Sequence, residues 1–99
     1  MFSVTTTQQF DESIAFIFYR SYFAGAENPR QGLEASLNAV LINVCTFPEA
    51  YPRTGRIRRR FTFEYRSTPY TVLFTFDGQT VTLHDIHFSR SARTARWLE

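Results

Sequence analysis

The stretch that decides the fold is residues 70–88, YTVLFTFDGQTVTLHDIHF. Apolar and polar residues largely alternate in its first half, and the pair Asp77-Gly78 that follows is typical of a β-hairpin turn. The second half begins with the same alternation but changes parity after Leu83. This change predicts either a strand that is apolar on both sides or a β-bulge near His84-Asp85. The predicted inward residues of the first strand are Tyr70, Val72, Phe74 and Phe76.

A third strand is predicted just before this hairpin, from Ile57 onward. Phe61, Phe63 and Tyr65 alternate and therefore share one face. Ser67-Thr68-Pro69 predicts the turn into the next strand. Arg59 interrupts the alternation, which suggests a position near the strand end. The opposite face carries charge, and its members are Arg56, Arg58, Arg60, Glu64 and Arg66.

Two helices are predicted upstream of these strands. Residues 2–6 form a short strand, and Thr7 caps a helix that runs to about Ala24, where Gly25 ends it. Asn28-Pro29 starts a second helix, which Pro48 ends. The core face of the first helix is predicted to be Phe10, Ile14, Ile17, Phe18 and Tyr22, and that of the second is Leu33, Leu37, Val40, Leu41 and Val44.

The element order predicts one α+β domain over residues 1–99. A helical hairpin should cover one face of a small antiparallel sheet, in the order β-α-α-β-β-β. The other face should be open and should carry the arginines. The tail from Ser91 is expected to form a helix or to order on a partner, with Trp97 as its anchor.

Charge is distributed unevenly along the chain. Residues 1–50 carry two arginines and five acidic residues, a net −3, whereas residues 51–99 carry nine arginines and four acidic residues, a net +5. Every basic residue is arginine, which binds phosphate and carboxylate in bidentate fashion. The C-terminal half is therefore predicted either to bind nucleic acid or an acidic partner, or simply to form a solvated face.

A second apolar stripe lies on the first helix, roughly opposite its core face. Its members are Phe16, Tyr19 and Phe23. A surface helix of a small monomer needs one buried stripe only. This second stripe therefore packs on another part of the chain or forms a partner-binding face.

The motifs exclude several kinds of chemistry. No metal-binding or glycine-rich phosphate motif occurs, so neither a metal ion nor a cofactor is expected. Cys45, the single cysteine, excludes an internal disulfide and is interpreted as a core residue. One catalytic arrangement remains: with the bulge, His87 faces the open side near Arg58 and Arg60, and could cleave RNA with their help. Without the bulge, His87 is a structural residue on the helix side.

Three segments resemble the RelE/ParE superfamily, the toxins of type II toxin–antitoxin modules. They are TTTQQFDESI at the first helix, LNAVLINVCTFPEAYPRTG at the second, and PYTVLFTFDGQTVTLHDIHFSR at the final hairpin. The resemblance covers nearly the whole chain, in element order and size. It implies a growth-inhibiting toxin, as in plasmid stabilisation, that is neutralised by a cognate antitoxin.

The resemblance implies two possible targets. RelE-like members cut mRNA in the ribosome without a metal, and ParE-like members inhibit DNA gyrase without nuclease residues. An antitoxin would cover Phe16, Tyr19 and Phe23, and the assembly would be a homodimer or a toxin–antitoxin hetero-oligomer. An interaction module that binds RNA or an acidic protein, and is neither toxin nor enzyme, is the third hypothesis.

Site residues are transferred position by position. His87 and Arg90 match the His-x-x-Arg pattern at the end of the last strand, and they join Arg58 and Arg60 as the candidate catalytic residues. The candidate residues for binding nucleic acid or an acidic partner are Arg56, Arg58, Arg60, Arg66 and Arg90.

Three positions depart from the nuclease pattern. Thr71 stands where many members have an arginine after the tyrosine, and Thr62 and Glu64 stand where some nucleases have lysines. These departures favour a ParE-like, non-nucleolytic toxin. The start of the chain has no basic, apolar leader, and no segment is apolar enough to span a membrane. We therefore expect a cytoplasmic protein with no membrane partner.

Overall fold

A computed structural model of the chain describes residues 1–91, 94 and 95. Its strands are β1 (Ser3–Thr6), β2 (Arg58–Tyr65), β3 (Thr68–Phe76) and β4 (Thr80–Phe88). Its helices are α1 (Gln8–Phe23), α2 (Pro29–Thr46) and a short 3-10 helix, Pro48–Ala50. The predicted tail anchor, Trp97, lies outside the described residues.

The four strands form one mixed sheet in the order β1-β4-β3-β2. β2, β3 and β4 are antiparallel neighbours, as predicted, and β1 pairs in parallel with the first half of β4. Both helices pack on one face of the sheet, which confirms the α+β fold and the element order. Because a parallel pair needs a long connection, the helical hairpin serves as the crossover between β1 and the rest of the sheet.

Of the two alternatives predicted for β4, the structure has the β-bulge. Leu73 of β3 pairs with Asp85, but the next residue, Phe74, pairs with Leu83, so His84 is the extra residue. Without the extra residue, Leu83 and Ile86 would point to opposite faces of the sheet, because they are three residues apart. The bulge places them on the same face. As a result Leu83 and Ile86 are both buried in the core between the sheet and the helices.

Thr7 connects β1, α1 and the bulge. Its backbone N–H donates to the Leu83 carbonyl at 3.0 Å, which extends the parallel ladder by one residue. Its Oγ1 accepts from the Phe10 N–H at 3.1 Å, as predicted for the helix cap, and donates to the His84 carbonyl at 2.9 Å. One side chain therefore starts α1 and fixes it to the bulged strand.

α2 starts at Asn28-Pro29, as predicted. Asn28 lies at the N-cap position, but its side chain makes no capping hydrogen bond to the helix backbone. The side-chain amide instead donates to Gln31 Oε1 at 2.8 Å. Pro29 at the first turn needs no cap because it has no N–H.

The core face of α1 was predicted wrongly at its C-terminal end. Tyr22 is 64% exposed, and Ser21 is buried in its place. At about 100° per residue, Ser21 lies roughly 20° from the direction of Phe10, whereas Tyr22 lies roughly 120° away. The small Ser21 therefore continues the inward stripe.

The turn between β2 and β3 is tighter than predicted. It consists of Arg66 and Ser67, both with positive φ (52° and 62°), and Thr68 and Pro69 already belong to β3. Two consecutive residues with positive φ form the turn type that matches the twist of paired strands.

Candidate functional site

The chain folds back on itself just before β2. Gly55, with φ +97°, allows the bend, and Arg53 then pairs with Arg59 in an isolated antiparallel bridge. Backbone hydrogen bonds from Thr54 N to Arg58 O (2.8 Å) and from Arg60 N to Pro52 O (3.0 Å) complete the pairing. This fold gathers five arginines at the edge of the sheet. They are called the arginine cluster below and are Arg53, Arg56, Arg58, Arg59 and Arg60.

Backbone carbonyls hold three of the guanidinium groups in place. Arg59 Nη1 donates to the carbonyls of Tyr51 (2.8 Å) and Glu49 (3.2 Å). Arg60 Nη1 donates to Arg53 O at 3.2 Å. Arg53 Nη1 donates to the carbonyl of Arg56 at 3.1 Å. A carbonyl is neutral, so these bonds orient the guanidinium groups without cancelling their charge.

No carboxylate forms an ion pair with the cluster within the part of the chain that the structure describes. None lies within 4.0 Å of a guanidinium nitrogen of the five arginines there. Like charges held this close repel one another, and an anion from outside would relieve the repulsion. The cluster is therefore a candidate anion-binding surface.

The histidine closest to the cluster is His84, at the bulge. Its Nε2 lies 2.8 Å from Thr75 Oγ1, and Thr75 pairs across the sheet with Arg58. Burial lowers the pKa of His84 from its usual 6.5, and the positive charge of Arg58 lowers it further. No catalytic or binding role was predicted for His84 from the sequence. The parity change that predicted the bulge was the available signal for its position.

The pH dependence of His84 gives a direct test of this arrangement. A pKa below 6.5 in the folded state means that the unfolded chain binds the proton more readily. Stability should therefore fall as the pH drops below about 6.5 and level off below the folded-state pKa. Arg58→Gln should raise the pKa of His84 in an NMR titration, whereas Arg66→Gln, at the far end of β2, should leave it unchanged. An unchanged His84 pKa in Arg58→Gln would contradict the proximity.

His87 lies elsewhere. It lines a cavity between α1 and the end of β4, together with Glu12, Ser13 and Phe16. Across the sheet it pairs with Thr71, and Thr71 pairs with Thr62. His87 and Arg58 are thus two strands and four residues apart, roughly 15 Å or more between Cα atoms.

The other two predicted arginines lie at the opposite end of the sheet from the cluster. Arg66 occupies the exposed turn after β2. Arg90 follows β4 and lines a shallow surface cavity with Pro69 and Phe88. The structure therefore brings Arg56, Arg58 and Arg60 together and separates them from Arg66 and Arg90.

The outer face of the sheet is only partly open. Thr71 and Leu73 of β3 are 3% and 5% exposed, and Asp85 of β4 is 6% exposed. Thr71 Oγ1 lies 2.8 Å from Ser89 Oγ, so the position where many superfamily members have an arginine holds one hydroxyl of a part-buried pair. The exposed part of this face lies mainly along β2.

The second stripe of α1 lies at the surface. Phe16, Tyr19 and Phe23 are 58%, 68% and 72% exposed, and Tyr22 joins them. Within the stripe, the rings of Tyr19 and Phe23 lie 5.1 Å apart. We call Phe16, Tyr19, Tyr22 and Phe23 the aromatic patch. An exposed cluster of large apolar side chains is typical of a binding surface.

Cys45 is a buried residue with its thiol protonated. It is 4% exposed, and burial raises its pKa above the usual 9.0. A thiol with a raised pKa is a poor nucleophile. This agrees with its interpretation as a core residue.

The fold and the site define a small α+β domain with an arginine-rich sheet edge and an exposed aromatic helix face. Comparisons with protein-family models, with curated proteins and with solved structures found no match in any of the three. Among the described helices, none is both long enough and apolar enough to cross a membrane.

Proposed function

We propose that this chain is a growth-inhibiting toxin of a type II toxin–antitoxin module. In this proposal it acts in the cytoplasm, binds DNA gyrase as a ParE-like toxin would, and does not cleave nucleic acid. The resemblance of its three segments to the RelE/ParE superfamily motivates the class. The element order is also the one that this resemblance implies.

One observation carries the choice of a binding mechanism over a nuclease. Across the outer face, His87 pairs with Thr71 and Thr71 pairs with Thr62, so threonines occupy two positions where superfamily nucleases carry basic residues. Phosphoryl transfer needs a proton-transfer group within hydrogen-bond reach of the reacting atoms and positive charge at the developing anion. Arg58 and Arg60, the two strand arginines proposed to supply this charge, lie at the far end of β2 from Thr62, where a binding partner could reach them.

The aromatic patch supports the antitoxin part of the proposal. Phe16, Tyr19 and Phe23 are exposed on α1, and none of them lines the cavity at the arginine cluster. An antitoxin segment that covers apolar side chains would bind through burial of this surface. The arginine cluster would then stay available to the target, or to an acidic part of the same antitoxin.

Induced expression in a bacterial host tests the proposed function. Ribosome-bound mRNA cleavage should be mapped and plasmid supercoiling scored in the same cells. We expect growth arrest and altered supercoiling with intact mRNA. A variant with Arg56, Arg58 and Arg60 changed to glutamine should relieve the arrest if the cluster binds the target. Harmless expression of the wild-type chain would contradict the toxin proposal and favour an RNA-binding or acidic-protein-binding module.

A second candidate, the RelE-like ribosome-dependent endonuclease, is favoured by one observation. His84 is held mostly neutral near pH 7 beside Arg58, as a general base for the 2′-hydroxyl of RNA should be. If mRNA is cleaved at the ribosomal A site, His84→Gln should abolish cleavage. Cleavage that survives His87→Ala and Arg90→Ala together would exclude the pair that the resemblance assigns.

A further inference from the structure

A small cavity opens at the sheet edge beside the arginine cluster. Its volume is about 240 Å³. The residues that line it are Glu49, Arg53, Arg56, Ile57, Arg59 and Phe76. Three arginines therefore line one space at the sheet edge.

The charge of this cavity matches one class of anion. Three arginines and the Glu49 carboxylate give a net charge of +2. A phosphate monoester carries about −1.5 to −2 at pH 7, because its second pKa is about 6. A phosphodiester or a carboxylate carries one negative charge and would leave the cavity positive. The charge therefore favours a terminal phosphate.

Two of the guanidinium groups are oriented before any ligand binds. Both hydrogen bonds of the Arg59 side chain use Nη1, and they leave its Nε and Nη2 available to a ligand. Arg53 also uses Nη1 for the Arg56 carbonyl. A guanidinium group that is already fixed loses less side-chain entropy when it binds a phosphate oxygen.

An apolar wall lies beside these charges. Ile57 is 76% exposed, and Phe76 is half-buried with its ring centroid 4.6 Å from that of Phe2. Flat nucleobases stack on aromatic side chains such as Phe76 whatever the sequence, and Ile57 adds exposed apolar surface beside it. We propose that the cavity binds the terminal phosphate of a nucleotide, with the base against Ile57 and Phe76. This inference rests on the geometry of the sheet edge and is independent of the proposed toxin function.

The test is calorimetric titration of the full chain with 5′-AMP at low salt. Adenosine, inorganic phosphate and the unphosphorylated adenosine dinucleotide, which has only a phosphodiester, serve as comparison ligands. We expect 5′-AMP to bind at least tenfold more tightly than each of them. Arg56→Gln should weaken 5′-AMP binding about tenfold, because it removes one charged donor from the cavity.

Arg56 is suited to this substitution because its side chain makes no hydrogen bond among the described residues, and circular dichroism should show an unchanged fold. The matched control is Arg30→Gln on α2, which removes the same charge elsewhere and should change binding less than twofold. Equal weakening by both variants would overturn the site in favour of diffuse charge attraction.

The comparison ligands test whether the cavity recognises the phosphate and whether it recognises a nucleotide. Adenosine binding as tight as 5′-AMP binding would overturn the phosphate site, and no binding of 5′-AMP would overturn the whole inference. Inorganic phosphate binding as tight as 5′-AMP binding would overturn the nucleotide assignment. Failure of the expressed chain to arrest growth would count against the toxin proposal alone, since the titration needs no toxicity.

Discussion

Replacement of Phe74 by alanine is expected to lower the free energy of unfolding by about 3–5 kcal/mol. Phe74 is fully buried, with its ring centroid 5.7 Å from that of Phe61 and 6.2 Å from that of Tyr51. The substitution leaves a cavity among packed rings on three different segments. Because domains of this size are stable by about 5–15 kcal/mol, this single change should remove much of the total stability.

Urea unfolding followed by circular dichroism measures the effect, and Phe16→Ala is the matched control. The chemical change is the same, but Phe16 is 58% exposed. It should cost less than about 0.5 kcal/mol. Similar losses in the two variants would contradict the assignment of inward and outward faces.

The alternation in residues 70–76 was sufficient to predict the inward face of β3. Tyr70, Val72 and Phe74 are all buried, since a period of two places successive side chains on opposite faces. The bulge was predictable for the same reason. The change of parity between Leu83 and Ile86 left two solutions, a strand that is apolar on both sides or an extra residue between them, and the structure has the extra residue.

Other features depend on contacts that the sequence pattern does not encode. A polar Ser21 replaced the aromatic Tyr22 in the core because helix geometry, and not hydrophobicity, decides which residue points inward. The pairing of Arg53 with Arg59 brings together residues that single-strand patterns treat as loop and strand. It depends on the bend at Gly55.

In the candidate site, too, some features were predictable from the sequence and others depend on tertiary contacts. Arginines at alternate positions of β2 were predicted to share the outer face, and Arg58 and Arg60 lie on the strand as expected. Which histidine lies near these arginines depends on the pairing of β2 with β3 and on how the bulge shifts the pairing of β3 with β4. The bulged residue His84 approaches Arg58, and His87, although on the expected strand, lies beside α1.

A double substitution in the aromatic patch, Phe16→Glu with Phe23→Glu, is expected to leave the fold intact and to abolish antitoxin binding. The two side chains are 58% and 72% exposed, so each change should alter stability by about 0.5 kcal/mol or less. At an interface, however, two buried carboxylates would replace two aromatic anchors. We expect a loss of affinity of about a hundredfold or more for the antitoxin encoded beside this chain.

The measurement is co-purification followed by calorimetry, with thermal unfolding of each variant alone. The control is Ile42→Glu with Phe47→Glu at the end of α2, where 57% and 65% exposed side chains receive the same charges on a different surface. This control should retain binding. If both double variants lose the antitoxin, added negative charge and not the aromatic patch would be responsible. If Phe16→Glu with Phe23→Glu unfolds the chain, the patch contributes to the core, because only buried aromatic side chains would make two glutamates that costly.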